Sequence, residues 1–240
     1  MDNFLRSPTR ICDAVLVRGM VQAVTEIKDV WPGFLGSLMS DVDDAMRRQR
    51  AENSPTMRRA LIRALIATVE GLAWIYREHV LHIANEIDVL TEMEKAALSE
   101  TLFTVDDTGR ISEQRRFLST VAAIRLTSRI ARKFAPDAEP DFGGAGWVDL
   151  KETIALRNRI THPKGQTDLE ISESDIDRAI SAFHWFAEVV IDVLAASNHA
   201  FRNYAQALGE VTDLLKAGNV RTLERLREIR EAQFRDLLDP

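Results

Sequence analysis

Glycine and proline are rare in this chain, and where they occur they cluster. Eleven glycines and seven prolines serve 240 residues, and between the clusters apolar residues recur at three- and four-residue spacing. That period lines up apolar side chains along one side of a helix, so the chain is read as all-α. A first helix is predicted from about Pro8 to Val30, opened by Ser7-Pro8 and closed by Trp31-Pro32-Gly33, with a second over Phe34 to Arg50. Ser54 as N-cap and Pro55 at the first position start a long helix through about Ile87. Thr91-Glu92-Met93-Glu94 matches a capping box and opens a shorter one to about Phe103.

Asp106-Asp107-Thr108-Gly109 is a turn, and Ser112 is expected to begin a helix ending near Phe134. Ala135 to Gly146 holds two prolines, three glycines and three acidic residues without a period, and is read as a loop. A helix over about Val148 to Thr161 follows, ended by His162-Pro163, because the residue before proline is pushed out of the α region. A helix from Asp175 to about Ala217 is predicted, kinked near Ala195 to Asn198, then a break at Gly218-Asn219 and an amphipathic helix over Thr222 to Leu238. Three divisions are expected: N-terminal helices over 1–53, a bundle over 54–198 and a C-terminal extension over 199–240.

Composition narrows the function classes. Hydrophobic content of 45% against 28% charged residues suits a folded globular chain rather than a disordered one. The single cysteine, Cys12, permits no intramolecular disulfide, and it is read as a packing residue. The opening MDNFLRSPTR lacks the apolar run of a signal peptide, and Glu188 and Asp192 interrupt the most apolar stretch, Phe183 to Ala196. A soluble, cytoplasmic protein with no membrane partner is expected. The net charge of −6 argues against a general DNA-coating role but leaves room for a local basic face.

One stretch carries chemistry: Leu156-Arg157-Asn158-Arg159-Ile160-Thr161-His162-Pro163-Lys164-Gly165. It joins an arginine, an asparagine and a histidine at a helix end. Residues five apart lie about 140° from one another on a straight helix, so Arg157 and His162 approach only if the chain turns at His162. An imidazole titrates near neutral pH, and a guanidinium is permanently charged and bidentate toward phosphate, a pairing suited to RNA phosphodiester cleavage. The Arg-Asn, three residues, His pattern resembles the R-x4-6-H signature of the HEPN superfamily, all-helical proteins that include many metal-independent ribonucleases. The likeness extends over about residues 55 to 195.

That resemblance implies a HEPN-like helical bundle with additional N- and C-terminal helices, and an endoribonuclease of the toxin or antiviral-defence kind. It implies a homodimer whose two motifs share one composite cleft, RNA as substrate, no cofactor, and a cognate antitoxin or regulatory protein as a further partner. It assigns Arg157, His162 and Asn158 to the catalytic site, and a polar residue of the long helix, Glu70, to orienting His162 or Arg157. A non-catalytic reading stands beside it: a helical scaffold binding RNA, a nucleotide or a protein, with Arg157 paired to Glu152 or Asp149 and His162 capping the helix.

Other clusters are weighed against plainer roles. Arg125, Arg129 and Arg132 recur at four- and three-residue steps on a predicted helix that also carries Arg110, Arg115, Arg116 and Lys133. With Arg159 and Lys164 beside the motif, they are candidates for holding RNA phosphates, or else a solvated face paired with acidic neighbours. Arg47, Arg48, Arg50, Arg58, Arg59 and Arg63 form a second basic patch, read as a solvated face. His79, His82, Glu78 and Glu86 suggest a metal site only superficially, because one helix supplies too few ligands and no third is evident. No metal is expected. His184 and Trp185 are read as core or interface residues.

Overall fold

The computed structural model describes residues 31–225 and residue 228, and within them the chain is predominantly helical. The helix predicted over Pro8–Val30, with Cys12, and most of that over Thr222–Leu238 lie outside the described residues. Helices α1 (Trp31–Ala51) and α2 (Pro55–Glu86) come first, then α3 (Glu92–Leu98) and a hairpin of β1 (Thr101–Val105) and β2 (Ile111–Arg115). Helices α4 (Thr120–Ala131), α5 (Ala145–Thr161) and α6 (Glu173–Lys216) complete the order, with a 3₁₀ turn at Gln166–Leu169 before α6. The division between the two compact units of the chain falls between Asn198 and His199, inside α6.

The first unit holds the core. Its central helix α2 starts as its sequence dictates, with Ser54 Oγ accepting from the Met57 amide at 3.4 Å and Pro55 at the first position. Leu61, Leu65, Leu72, Tyr76 and Val80 of α2 are buried together with Leu35, Met39 and Val42 of α1. Gly71 lets these two helices approach, since a Cβ there would lie 2.4 Å from Leu38 Cδ1. Ile124 and Ile130 of α4, Trp147, Leu150 and Ile160 of α5, and Phe183, Phe186 and Val190 of α6 close the same core.

Helix α6 runs unbroken through Ala195–Asn198, where a kink is expected from the sequence. Among the described residues it is the one helix long and apolar enough to cross a membrane, and half of its most apolar window is buried inside the protein. In the second unit, Tyr204, Leu208 and Leu214 of α6 are exposed. Gly218, at φ 72°, turns the chain, Asn219 Oδ1 accepts from the Thr222 amide, and residues 220–225 are again helical.

The hairpin corrects two expectations. The capping box at Thr91 and Glu94 forms as read, but α3 stops at Leu98 rather than near Phe103, and Glu100 takes a positive φ of 54°. Thr101-Leu-Phe-Thr-Val is β-branched and aromatic at alternate positions, which favours a strand over a helix. The predicted turn holds, with Gly109 at φ 79°, but Ser112 lies within β2 opposite Thr104 rather than capping a helix. Their hydroxyls meet across the strands at 2.8 Å. The cap of α4 is instead Ser119, whose hydroxyl accepts from the Ala122 amide.

Candidate functional site

The Arg-Asn…His motif occupies the C-terminal end of α5. Helix geometry ends at Thr161, and His162 adopts φ −123° and ψ 60°, outside the α region that the following Pro163 disfavours. The His162 amide still donates to Asn158 O at 3.0 Å, and Thr161 Oγ1 donates to Arg157 O at 2.7 Å. The His162 ring is exposed and hydrogen-bonds none of the described residues. Asn158 is exposed beside it.

Arg157 ion-pairs through Nη2 with Glu70 of α2, its side chain 23% exposed and that of Glu70 43% exposed. Asp149 and Glu152, the partners weighed for Arg157 from the sequence, instead face Arg178 of α6 at 3.7 and 3.1 Å. A single Nη2 contact leaves other N–H groups of the Arg157 fork for a second anion.

Half of the second basic patch departs from the solvated-face reading: Arg47, Arg48 and Arg50 are exposed, but Arg58, Arg59 and Arg63 are committed to backbone. Arg63 Nη2 donates to Ile160 O at 3.0 Å, Arg59 Nη1 to Leu169 O at 3.1 Å, and Arg58 Nη1 to Ile171 O at 3.0 Å. Three guanidinium groups along α2 thus hold the backbone that runs from the end of α5 to the start of α6. Carbonyls at a helix C-terminus lack intrahelical partners and carry the negative end of the dipole, which is why cationic donors settle there. Arg47 and Arg48 make exposed ion pairs with Asp43 and Asp44 on their own helix.

Two further residues expected to face RNA divide. Arg159 is committed to the same backbone, donating to Thr167 O at 3.0 Å and Glu170 O at 3.3 Å. Its guanidinium therefore shapes the connector after the motif. Lys164 is exposed, and its amide and that of Gly165 donate to Asp168 Oδ2.

The basic stripe of Arg125, Arg129 and Arg132 lies on and at the end of α4, but Arg115 lies in β2 and Arg110 and Arg116 flank that strand rather than sharing the helix. It gathers at the far end of α5 from His162. The Arg125 guanidinium sits 4.3 Å over the Phe142 ring and 5.6 Å over that of Trp147, near the start of α5. Fourteen residues separate Trp147 from Thr161, about 21 Å at the rise of an α-helix. Arg132 pairs with Glu139 at 2.6 Å, and Lys133 with Glu94 at 2.6 Å. Within the chain the stripe and the motif are separate surfaces, not one cleft.

Sequence reasoning missed the aromatic cluster that carries this surface. Phe142 meets Trp147 and Trp185 edge-on, with Phe142 and Trp147 centroids 4.9 Å apart, and the two tryptophans pack at a tilt. Its signal was a pair of aromatics flanking Gly143-Gly144, hidden in a segment read as loop. Gly146 admits Trp185: a Cβ there would lie 2.2 Å from Trp185 Cγ.

His79 is wholly buried, with neither ring nitrogen hydrogen-bonded. Burial first, then the neighbouring His82, pull its pKa down to about 4, which keeps the ring neutral. Its neighbours His82 and Glu86 are exposed, and among the described residues no group of three or more His, Cys, Asp and Glu is arranged to hold a metal ion. His184 is half-buried against the Phe183 ring edge, and burial lowers its pKa. No family model, curated protein or solved structure matches the chain.

Proposed function

We propose that the chain is a metal-independent endoribonuclease of HEPN type, acting through Arg157 and His162. The observation that carries the reading is His162 itself. It combines the Arg-Asn…His pattern with a helix-terminal position and an exposed ring that no described residue occupies. An acid–base group has to reach substrate rather than be spent on structure.

In this reading a ribose 2′-hydroxyl attacks the adjacent phosphodiester. His162 accepts the hydroxyl proton or protonates the departing 5′-oxygen, and the companion motif of a dimer supplies the other step. Arg157, positioned by Glu70, stabilises the added negative charge of the phosphorane-like transition state. The products are a 2′,3′-cyclic phosphate and a 5′-hydroxyl, and DNA is not cut. Such an enzyme serves as a toxin or antiviral effector, held in check by an antitoxin or regulatory protein.

Purified protein incubated with total RNA and tRNA in EDTA, beside His162→Ala, tests this. Cutting by the wild type and none by the variant is expected. A second reading is favoured by one contact: the Arg157–Glu70 pair already answers the arginine's charge. A non-catalytic scaffold that binds RNA, a nucleotide or a protein uses that pair as a strut, and it predicts no cutting by either protein.

A further inference from the structure

A second candidate site lies on the surface about 21 Å along α5 from the motif. Arg125, Ser128, Arg129, Arg132, Glu139 and Phe142 line a cavity of about 290 Å³ between α4 and the segment that follows it. That volume sits at the small end of ligand pockets, room for one nucleotide and not for two. The lining sets three guanidinium groups against one carboxylate in a chain whose net charge is −6. Such a local reversal of sign draws an anion.

The chemistry of the lining is more specific than charge. The Arg125 guanidinium carbon sits 4.3 Å over the Phe142 ring, a cation–π pair of the kind on which nucleobases stack. Arg129 is exposed and hydrogen-bonds none of the described residues, so its fork is open to a phosphate. Glu139 accepts from Arg132 at 2.6 Å and, as a carboxylate, retains acceptor sites for hydroxyl donors. Beneath them Ser128 is fixed, donating to Ile124 O at 2.8 Å and meeting Tyr76 Oη at 3.0 Å, so the floor is rigid.

We infer that this cavity binds one ribonucleotide, its base on the Arg125–Phe142 stack, its phosphate on Arg129 and its ribose hydroxyls on Glu139. The nucleotide is either free or one residue of a single strand. The inference stands whether or not the motif cuts RNA.

Calorimetric titration of the full chain with AMP, 2′-deoxy-AMP, inorganic phosphate and a short oligoadenylate RNA tests it, with melting curves confirming that each variant folds. Saturable binding of AMP below about 1 mM is expected, weakened about tenfold by Arg129→Gln and partly restored by Arg129→Lys. Inorganic phosphate alone does not saturate, because it lacks the stack. 2′-Deoxy-AMP binds more weakly than AMP, and Glu139→Gln erases that difference. Binding of the RNA but not of AMP, still lost in Arg129→Gln, identifies the strand as the source. Binding of neither probe, or binding indifferent to Arg129, overturns the proposal, and equal affinity for AMP and 2′-deoxy-AMP overturns the role of Glu139.

Discussion

Acidification acts on the fold most strongly through one buried ring, His79. His79 is 0% exposed and its ring nitrogens have no hydrogen-bond partner, so a proton there has nothing to share its charge. Its pKa falls from 6.5 in the open chain to about 4 in the fold, through burial and then His82. The folded value lies below the unfolded one, so between them the unfolded chain binds more protons and stability falls as pH falls. A gap of that size corresponds to about 3 kcal/mol. Most of it, about 2 kcal/mol, is lost between about pH 7 and about pH 4.5.

Urea unfolding followed by circular dichroism at those two pH values measures this directly, beside His79→Leu. The variant removes the titrating ring and two unsatisfied buried nitrogens at similar volume. It is expected to be at least as stable as wild type near neutrality and to lose most of the pH dependence in this window. Glu94, pulled down to about 2 first by its contact with Lys133, contributes mainly below the window, while His184, whose pKa burial also lowers, leaves a smaller dependence inside it. An unchanged pH slope in His79→Leu refutes the reasoning.

Three further outcomes are expected. Gly146→Ala forces a Cβ into the Trp185 ring system and costs about 1–3 kcal/mol, read as a lowered Tm. Arg63→Met leaves Ile160 O without its donor and costs about 1–2 kcal/mol, with faster amide exchange confined to the end of α5 and the connector. Glu70→Gln keeps the shape but removes the charge facing Arg157, so RNA cleavage falls by about tenfold, roughly 1.4 kcal/mol of positioning, while the fold stays intact.

The helices were legible because their signals are local. Ser54-Pro55 and the Thr91–Glu94 box fix starts within four residues, and His162-Pro163 fixes an end. The hairpin was not, since two strands of five residues leave only the β preference of Thr101, Phe103, Thr104 and Val105 to mark them beside a strong capping box. The motif itself is a sequence object, and Glu70 was reachable as a polar position on the helix beside it. The grip of Arg58, Arg59 and Arg63 was illegible for another reason. Their acceptors are backbone carbonyls 97 to 113 residues away, and a carbonyl leaves no mark in a sequence. The platform under Arg125 was hidden likewise, because a loop residue such as Phe142 has no period to betray where it folds back.

Cleavage of total RNA and tRNA in EDTA, by wild type and by His162→Ala, tests the proposed activity most directly. Metal-independent cutting that leaves 2′,3′-cyclic phosphate ends and vanishes in a folded His162→Ala is the expected result. Undiminished cutting by the variant, or an intact RNA pool with both proteins folded, contradicts it.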